Sequence, residues 1–318
     1  MKEQSYQYFP LALFSSVMGL AVTTIAINQI ENIYQINKIT SAIFLAITTL
    51  WFLFNSTILI YRLIFFPKEV KQEYSHPIQM NFFAAISISL LLISTLYASH
   101  FKGLSFIIWG LGAILQVSFT VLFLHNIIWK KEFEFKHFTP LSFLPIVGNL
   151  VVPIGGSLHV HEQINWFFFG FGILFSMVYI AFLFNRLFFR NPLPNTMLPT
   201  IFILMAPPAV GFIAYVSLTG KIDVFANILY GSALFIGLLL TLQLKRIFSN
   251  PFGLPSWALL FPSGAMTVAT IMMYAGTGFT YYQALILPQM ITLLIFLFYL
   301  SWNTFKAARA KKLCAAGK

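Results

Sequence analysis

The sequence predicts an all-α integral membrane protein, with ten transmembrane helices paired as five helical hairpins in one domain covering residues 1–318. Three observations carry that expectation. Of 318 residues, 59% are hydrophobic and 8% charged, with a mean hydropathy of +0.84, whereas a soluble domain carries roughly 25% charged residues. Apolar runs of roughly 20 residues, long enough to cross about 30 Å of hydrocarbon, recur along the whole chain. Basic residues gather in alternate connections between those runs. A β-barrel would read as strands of about ten residues with alternating polarity, and these runs are continuously apolar.

The first span is expected at 8–28. Its apolar part is too long for a signal-peptide core, and no small-residue cleavage site closes it. The second, 39–61, stops before Arg62. The third and fourth, 78–98 and 103–129, are joined by only a few residues around Lys102. The fifth, 140–157, ends on Gly155-Gly156, which is turn chemistry. The sixth, 164–188, is rich in phenylalanine. The seventh and eighth, 197–217 and 224–244, are separated by a short connection ending at Asp223. The ninth and tenth, 256–276 and 280–305, lie in a stretch from 247 to 305 that contains no Asp, Glu, Lys or Arg. Hairpins start near 9, 78, 140, 197 and 256, a repeat of roughly 60 residues that suggests five similar units.

The charge distribution gives the topology. Arg62, Lys68, Lys71, Lys130, Lys131, Lys136, Arg186, Arg190, Lys245, Arg246 and the short basic tail 306–318 fall on one side with Lys2. That side holds 16 of the 19 Lys and Arg residues, and Lys38, Lys102 and Lys221 face the other. Lys and Arg bias connections toward the cytoplasm. Both termini are therefore expected in the cytoplasm, with the chain in a bacterial inner membrane. The net charge of +11 is thus a topological signal and not a sign of a nucleic-acid partner. The single cysteine, Cys314, excludes an internal disulfide.

Proline and glycine collect in the odd-numbered spans, at Pro145, Pro153, Pro199, Pro207, Pro208, Pro262, Gly148, Gly155, Gly211 and Gly264. Proline frees a backbone carbonyl, which in lipid must be met by neighbours or by water in a cavity. Odd helices are expected to face inward and phenylalanine-rich even ones to face lipid. Five bent inner helices would enclose an axial path; the same prolines would also suit a solid bundle.

All eight acids are read as lying in connections or tails, and no Asp, Glu, Lys or Arg is expected in the middle of a span. Coupled transporters commonly need buried ionisable relays, and an enzyme needs an acid, a base and a nucleophile brought together. Neither is legible, so no enzyme, cofactor or metal is expected. His159-Val160-His161-Glu162 reads as a solvated loop before it reads as a metal site. What remains is a passive path lined by small or polar groups, with Ser15, Ser16, Gly19, Ser87, Asn149, Ser263 and Gly264 as candidates beside Pro145, Pro207, Pro208 and Gly211. Each hydroxyl could equally bond back to its own helix. A neutral path beside a basic face favours small inorganic anions, because that face concentrates them. A scaffold or sensor would call for a soluble domain or large loop, and the longest connection is about 16 residues.

Leu198-Pro199-Thr200 followed by Ala206-Pro207-Pro208-Ala209-Val210-Gly211 resembles the tellurite-resistance/dicarboxylate transporter family, to which bacterial TehA and the plant guard-cell slow anion channels belong. Trp257-Ala258-Leu259-Leu260-Phe261-Pro262 is similar to that family's Trp…Phe-Pro segment, and Phe9-Pro10, Met18-Gly19-Leu20-Ala21 and Pro140…Pro145…Gly148 agree with it. The resemblance covers essentially the whole chain. It implies a quasi-fivefold arrangement of the five hairpins around a central pore, a homotrimer with one pore per protomer, and an aromatic plug at the position of Phe261, beside Pro262. It implies an anion channel or channel-like permease for monovalent anions; other branches imply a secondary transporter for C4-dicarboxylate, sulfite or tellurite-type oxyanions. Ser15 and Ser16 depart from the family, which can carry glycine there, and regulation by phosphorylation of long cytoplasmic extensions is not expected.

Overall fold

The computed structural model describes residues 6–130, 134–189, 192–311 and 313. Among them it contains helices and turns but no strand. Ten helices correspond to the expected spans: α1 (Phe14–Ile33), α2 (Ile39–Phe65), α3 (Ala84–Tyr97), α4 (Lys102–Trp129), α5 (Leu144–Gly156), α6 (Glu162–Phe189), α7 (Ala206–Thr219), α8 (Val224–Thr241), α9 (Leu260–Thr277) and α10 (Thr280–Arg309). Taken with the 3-10 segments that lead into them, nine are long and apolar enough to cross a membrane among the described residues. The remaining segment, Pro140–Gly156, is apolar but shorter, because after Gly156 the chain enters consecutive tight turns through Ser157, His159 and Val160. Ten spans of full length are thus corrected to nine and this shorter one. Lys2, Lys131, Arg190, Lys312, Cys314 and Lys318 lie outside the described residues.

Each odd-numbered helix is entered through a 3-10 segment: Leu11–Leu13, Gln79–Phe83, Pro140–Phe143, Asn195–Met205 and Leu254–Leu259. The prolines explain much of this. Pro140, Pro145, Pro207 and Pro255 occupy the first two positions of their elements, where a missing N–H costs nothing and a fixed φ suits the start of a helix. Pro153 lies inside α5 past its first turn, Pro199 inside the 3-10 segment that leads into α7, and Pro288 inside α10 of the outer layer. The five 3-10 segments touch one another around a closed ring.

The odd helices also pack on one another in cyclic order, α1 on α3, α3 on α5, α5 on α7, α7 on α9 and α9 back on α1. In the apolar stretches of α1, α3, α7 and α9, 72–83% of residues are buried, against 17–33% in the even helices. The even helices therefore form the outer layer, with Leu50, Ile107, Phe167, Phe235 and Phe298 on its exterior. Their buried faces recur every seventh residue, two helical turns apart: Ser41, Thr48, Asn55 and Arg62 on α2, and Asn165, Gly172, Tyr179 and Arg186 on α6.

Two of those residues, and one acid, overturn the reading that every charge lies in a connection. Glu31 sits in the last turn of α1 and is 4% exposed. Its Oε1 accepts the Ser41 N–H at 3.0 Å, satisfying one of the free donors at the start of α2. Arg62 and Arg186 are buried in the last turns of α2 and α6.

Candidate functional site

The five odd helices do not close against one another along their whole length. Between them lies a cavity of about 330 Å³ to which all five contribute, reaching from the first turn of α9 to the far ends of the helices. By position along the helices its lining falls into three tiers. Nearest the helix starts are Val22, Leu92, Val151, Val210 and Ala265; next come Ile25, Thr95, Ile154, Ile213 and Val268; at the far ends are Gln29, Ser157, Leu158, Ser217 and Met272. No lining residue carries a charge. The polar groups stand toward the mouth, where Leu158 is half exposed. Eleven residues separate Phe261 from Met272, a depth of about 16 Å at the helical rise.

Phe261 is the only aromatic residue in this lining, and it is buried. It stands in the first turn of α9, one turn before Ala265, at the end where the 3-10 segments meet. Two glycines orient it. A Cβ on Gly19 would overlap the Leu260 side chain, and a Cβ on Gly264 would overlap Val22. Leu260 thus drops into a notch on α1 while Val22 drops into a notch on α9. Fixing those two contacts fixes the rotation of α9, and Phe261, about 100° round the helix from Leu260, is left facing the cavity.

The starting end is held from the side by the α2 guanidinium. Arg62 donates from Nε to the Gln7 carbonyl (3.0 Å), from Nη1 to the Phe9 carbonyl (2.7 Å) and from Nη2 to Glu73 Oε1 (2.6 Å). Glu73 lies in a short helix, Pro67–Ser75, whose Glu69 accepts from Gln7 Nε2 at 2.7 Å. The chain leading into α1 is therefore tied to the α2 end and to this short helix. Arg186 stands at the matching place on α6 and donates to the Phe138 carbonyl just before Pro140, but no acid pairs with it among the described residues.

Of the residues singled out in the sequence, Phe261 lines the cavity. Gly19 and Gly264 sit in the α1–α9 contact just described, and Pro262 follows Phe261 in the same buried turn. Ser16 Oγ donates to the Leu13 carbonyl and accepts from Trp51 Nε1 at 2.7 Å, which turns it toward α2. Ser15 is buried beside it. Ser87 Oγ meets Gln116 Oε1 at 2.6 Å, and Asn149 Nδ2 donates to Thr120 Oγ1 at 2.9 Å, so both face α4. The Pro145 carbonyl accepts from Gln116 Nε2 at 2.9 Å. Gly211 faces Ile173 of α6 and Leu229 of α8. Pro207 and Pro208 are buried in the first turn of α7, and Ser263 bonds back to the Leu259 carbonyl. His159 and His161 do not converge: His159 Nε2 meets Ser105 Oγ at 2.8 Å, while His161 Nδ1 accepts the Gln163 N–H.

The aliphatic lining and the polar residues set among it, Thr95 in the middle tier and Gln29, Ser157 and Ser217 at the far ends, are absent from the sequence reading, which followed polarity. A signal existed. Val-x-x-Ile recurs at Val22/Ile25, Val151/Ile154 and Val210/Ile213, and in each case both residues line the cavity.

Comparison with known proteins agrees with this architecture. The family described as voltage-dependent anion channel (SLAC1) matches residues 8–305. The chain is 27% identical over 301 residues to an uncharacterised transporter of Methanocaldococcus jannaschii, covering 87% of this chain and 88% of that one. It is 27% identical over 272 residues to the tellurite resistance protein TehA homolog of Haemophilus influenzae, covering 84% and 82%. It is 26% identical over 286 residues to the guard cell S-type anion channel of Arabidopsis thaliana, covering 85% of this chain and 51% of that longer one. A match that runs through nearly every helix, joined to nine segments long and apolar enough to cross a membrane among the described residues, makes this chain a multi-pass membrane protein that belongs to the SLAC1 family of voltage-dependent anion channels.

Proposed function

We propose that the protein is an anion channel or channel-like permease that passes small inorganic monovalent anions along a central path, with Phe261 as its stopper. The single observation that carries this reading is the charge-free cavity, lined by all five odd helices and ending on one phenyl ring. Five hairpins in approximate fivefold repetition about that path account for the cyclic packing of the odd helices. A bare charge in dry apolar surroundings costs on the order of 20 kcal/mol in the idealised Born estimate. A phenyl ring set across aliphatic tiers therefore blocks ions by bulk and by keeping water out. Removing the ring lets water follow the ion and lowers that barrier. In the remaining path, with no fixed charge, the cost of dehydration ranks the ions, so weakly hydrated anions pass best. A carrier for a dianion would call for a Lys or Arg in the lining, and the lining has neither.

Both termini are assigned to the cytoplasmic side of a bacterial inner membrane, where the excess of Lys and Arg supplies anions to the stoppered end. The whole chain acts as one transmembrane domain, and the protomers associate as a homotrimer with a separate path in each. The relatives named as S-type anion channels support this reading. The test is planar-bilayer recording of purified protein. Phe261→Ala is expected to raise anion conductance at least tenfold, while Phe167→Ala, on the lipid-facing exterior, leaves it unchanged. Equal currents from wild type and both variants, or reversal potentials showing cation preference, would overturn the proposal.

A further inference from the structure

We infer that Gln29 is the residue that selects anions at the cavity mouth, through the N–H donors of its carboxamide; this rests on the channel reading. Four polar side chains line the cavity: Gln29, Thr95, Ser157 and Ser217. Three of them have already committed their protons. Thr95 Oγ1 donates to the Leu91 carbonyl at 3.0 Å, Ser157 Oγ to the Ile154 carbonyl at 3.0 Å and Ser217 Oγ to the Ile213 carbonyl at 2.8 Å. A hydroxyl has one proton and two lone pairs, so these three present lone pairs to the lumen. Lone pairs do not attract an anion.

Gln29 is built the other way round. Its Oε1 is buried and has no hydrogen-bond partner, and its Nε2 donates to no group among the described residues. No partner among the described residues holds Oε1 in place, so the carboxamide can turn its N–H groups to whatever occupies the mouth. Gln29 therefore supplies the uncommitted side-chain donors of the lining, in a wall that otherwise offers aliphatic carbon and lone pairs. An anion entering from the far end would exchange some of its water for these N–H groups before meeting the aliphatic tiers. A cation would find no carboxylate to compensate it.

The experiment uses Phe261→Ala as the parent, so that currents are measurable, with sodium chloride gradients in planar bilayers. Gln29→Met keeps the length of the side chain and removes both donors; it is expected to lower the chloride-to-sodium permeability ratio at least threefold. Gln29→Glu replaces the donors with a like charge and is expected to lower that ratio at least tenfold. Phe167→Ala, on the lipid-facing exterior, is expected to leave the ratio within twofold of the parent. If Gln29→Met and Gln29→Glu both conduct with the parent's ratio, this inference is overturned and the channel reading stands. If Phe261→Ala passes no anion current, the channel reading is overturned and the assignment of Gln29 goes with it. Size-exclusion profiles of each variant separate a lost ratio from a lost fold, and Gln29→Met, which introduces no charge, decides the matter should Gln29→Glu fail to assemble.

Discussion

The two ends of the five inner helices are built on opposite plans. Where the odd helices start, five 3-10 segments touch around a ring, the approach to α1 is held by a buried guanidinium, and one phenyl ring faces inward. Where they finish, the same helices leave room between them, and the lining changes from aliphatic to polar. The same five chains thus supply a tight, heavily bonded collar and a preformed, water-accessible mouth. On the proposed reading of Phe261 as the stopper, the difference teaches that resistance to flow is local, confined to one turn of α9, while at the far end the helices already leave room between them.

The comparison breaks most readily at Arg62. Arg62→Met strands the partly buried Glu73 carboxylate and two carbonyls, and removing one partner of a buried pair costs about 3–5 kcal/mol. Its thermal transition in detergent is expected to fall by more than that of Arg186→Met. Arg186 donates to the Phe138 carbonyl and has no acidic partner among the described residues, so losing it removes one charge-assisted hydrogen bond, about 1.5–3 kcal/mol, and strands no carboxylate among those residues. Equal losses for the two variants would erase the distinction between a clamped and an unclamped approach. A smaller effect is expected from Gly264→Val, which drives a side chain into Val22 in the α1–α9 notch. Overpacking of this kind costs about 1–3 kcal/mol, and if the variant assembles, Phe261 should lose its aim and conductance should rise. Wild-type stability with wild-type current would show that the notch does not set the rotation of α9.

The smallest effect is expected at the mouth. Burial, and after it the charge of Lys102, hold the His159 imidazole below its ordinary value. The fold thus disfavours the charged form. The resulting loss of stability begins as pH falls through about 6.5, grows until pH passes the lowered value, and is absent above neutrality. The ring is only partly buried, so the effect should be slight. Imidazole NMR should show His159 titrating below the ordinary histidine value, and the thermal transitions of wild type and His159→Gln should coincide at pH 8 and diverge slightly at pH 5. Coincidence at both would remove His159 from the account.

Hydropathy made the layout legible because lipid imposes it: each expected span from 8–28 to 280–305 overlaps a described helix. By hydropathy the first span stops at residue 28 and Glu31 falls in a connection. The helix instead runs to Ile33, where one oxygen of the Glu31 carboxylate accepts the Ser41 amide at the start of α2. Polarity was a poor guide to direction for a related reason. In a membrane a hydroxyl or amide is drawn to whichever neighbour can pair with it, so Ser16 turns to Trp51, Ser87 to Gln116 and Asn149 to Thr120. The lumen is bordered instead by Val22, Val151 and Val210, whose composition matches that of a lipid-facing wall. Only their position relative to the other four hairpins tells the two apart.

The six residues of Leu254–Leu259 that lead into Phe261 are wound as a 3-10 helix, advancing about 2.0 Å and 120° per residue, where an α-helix advances about 1.5 Å and 100°. Such a run works as a screw thread. Rewinding all six residues to α geometry would draw α9 along its axis by about 3 Å and turn it by about 120°, enough to carry the phenyl ring of Phe261 out of the lumen and into the wall between neighbouring helices. On the proposed reading of Phe261 as the stopper, rewinding this one short helical run would supply both the travel and the rotation that clear the path.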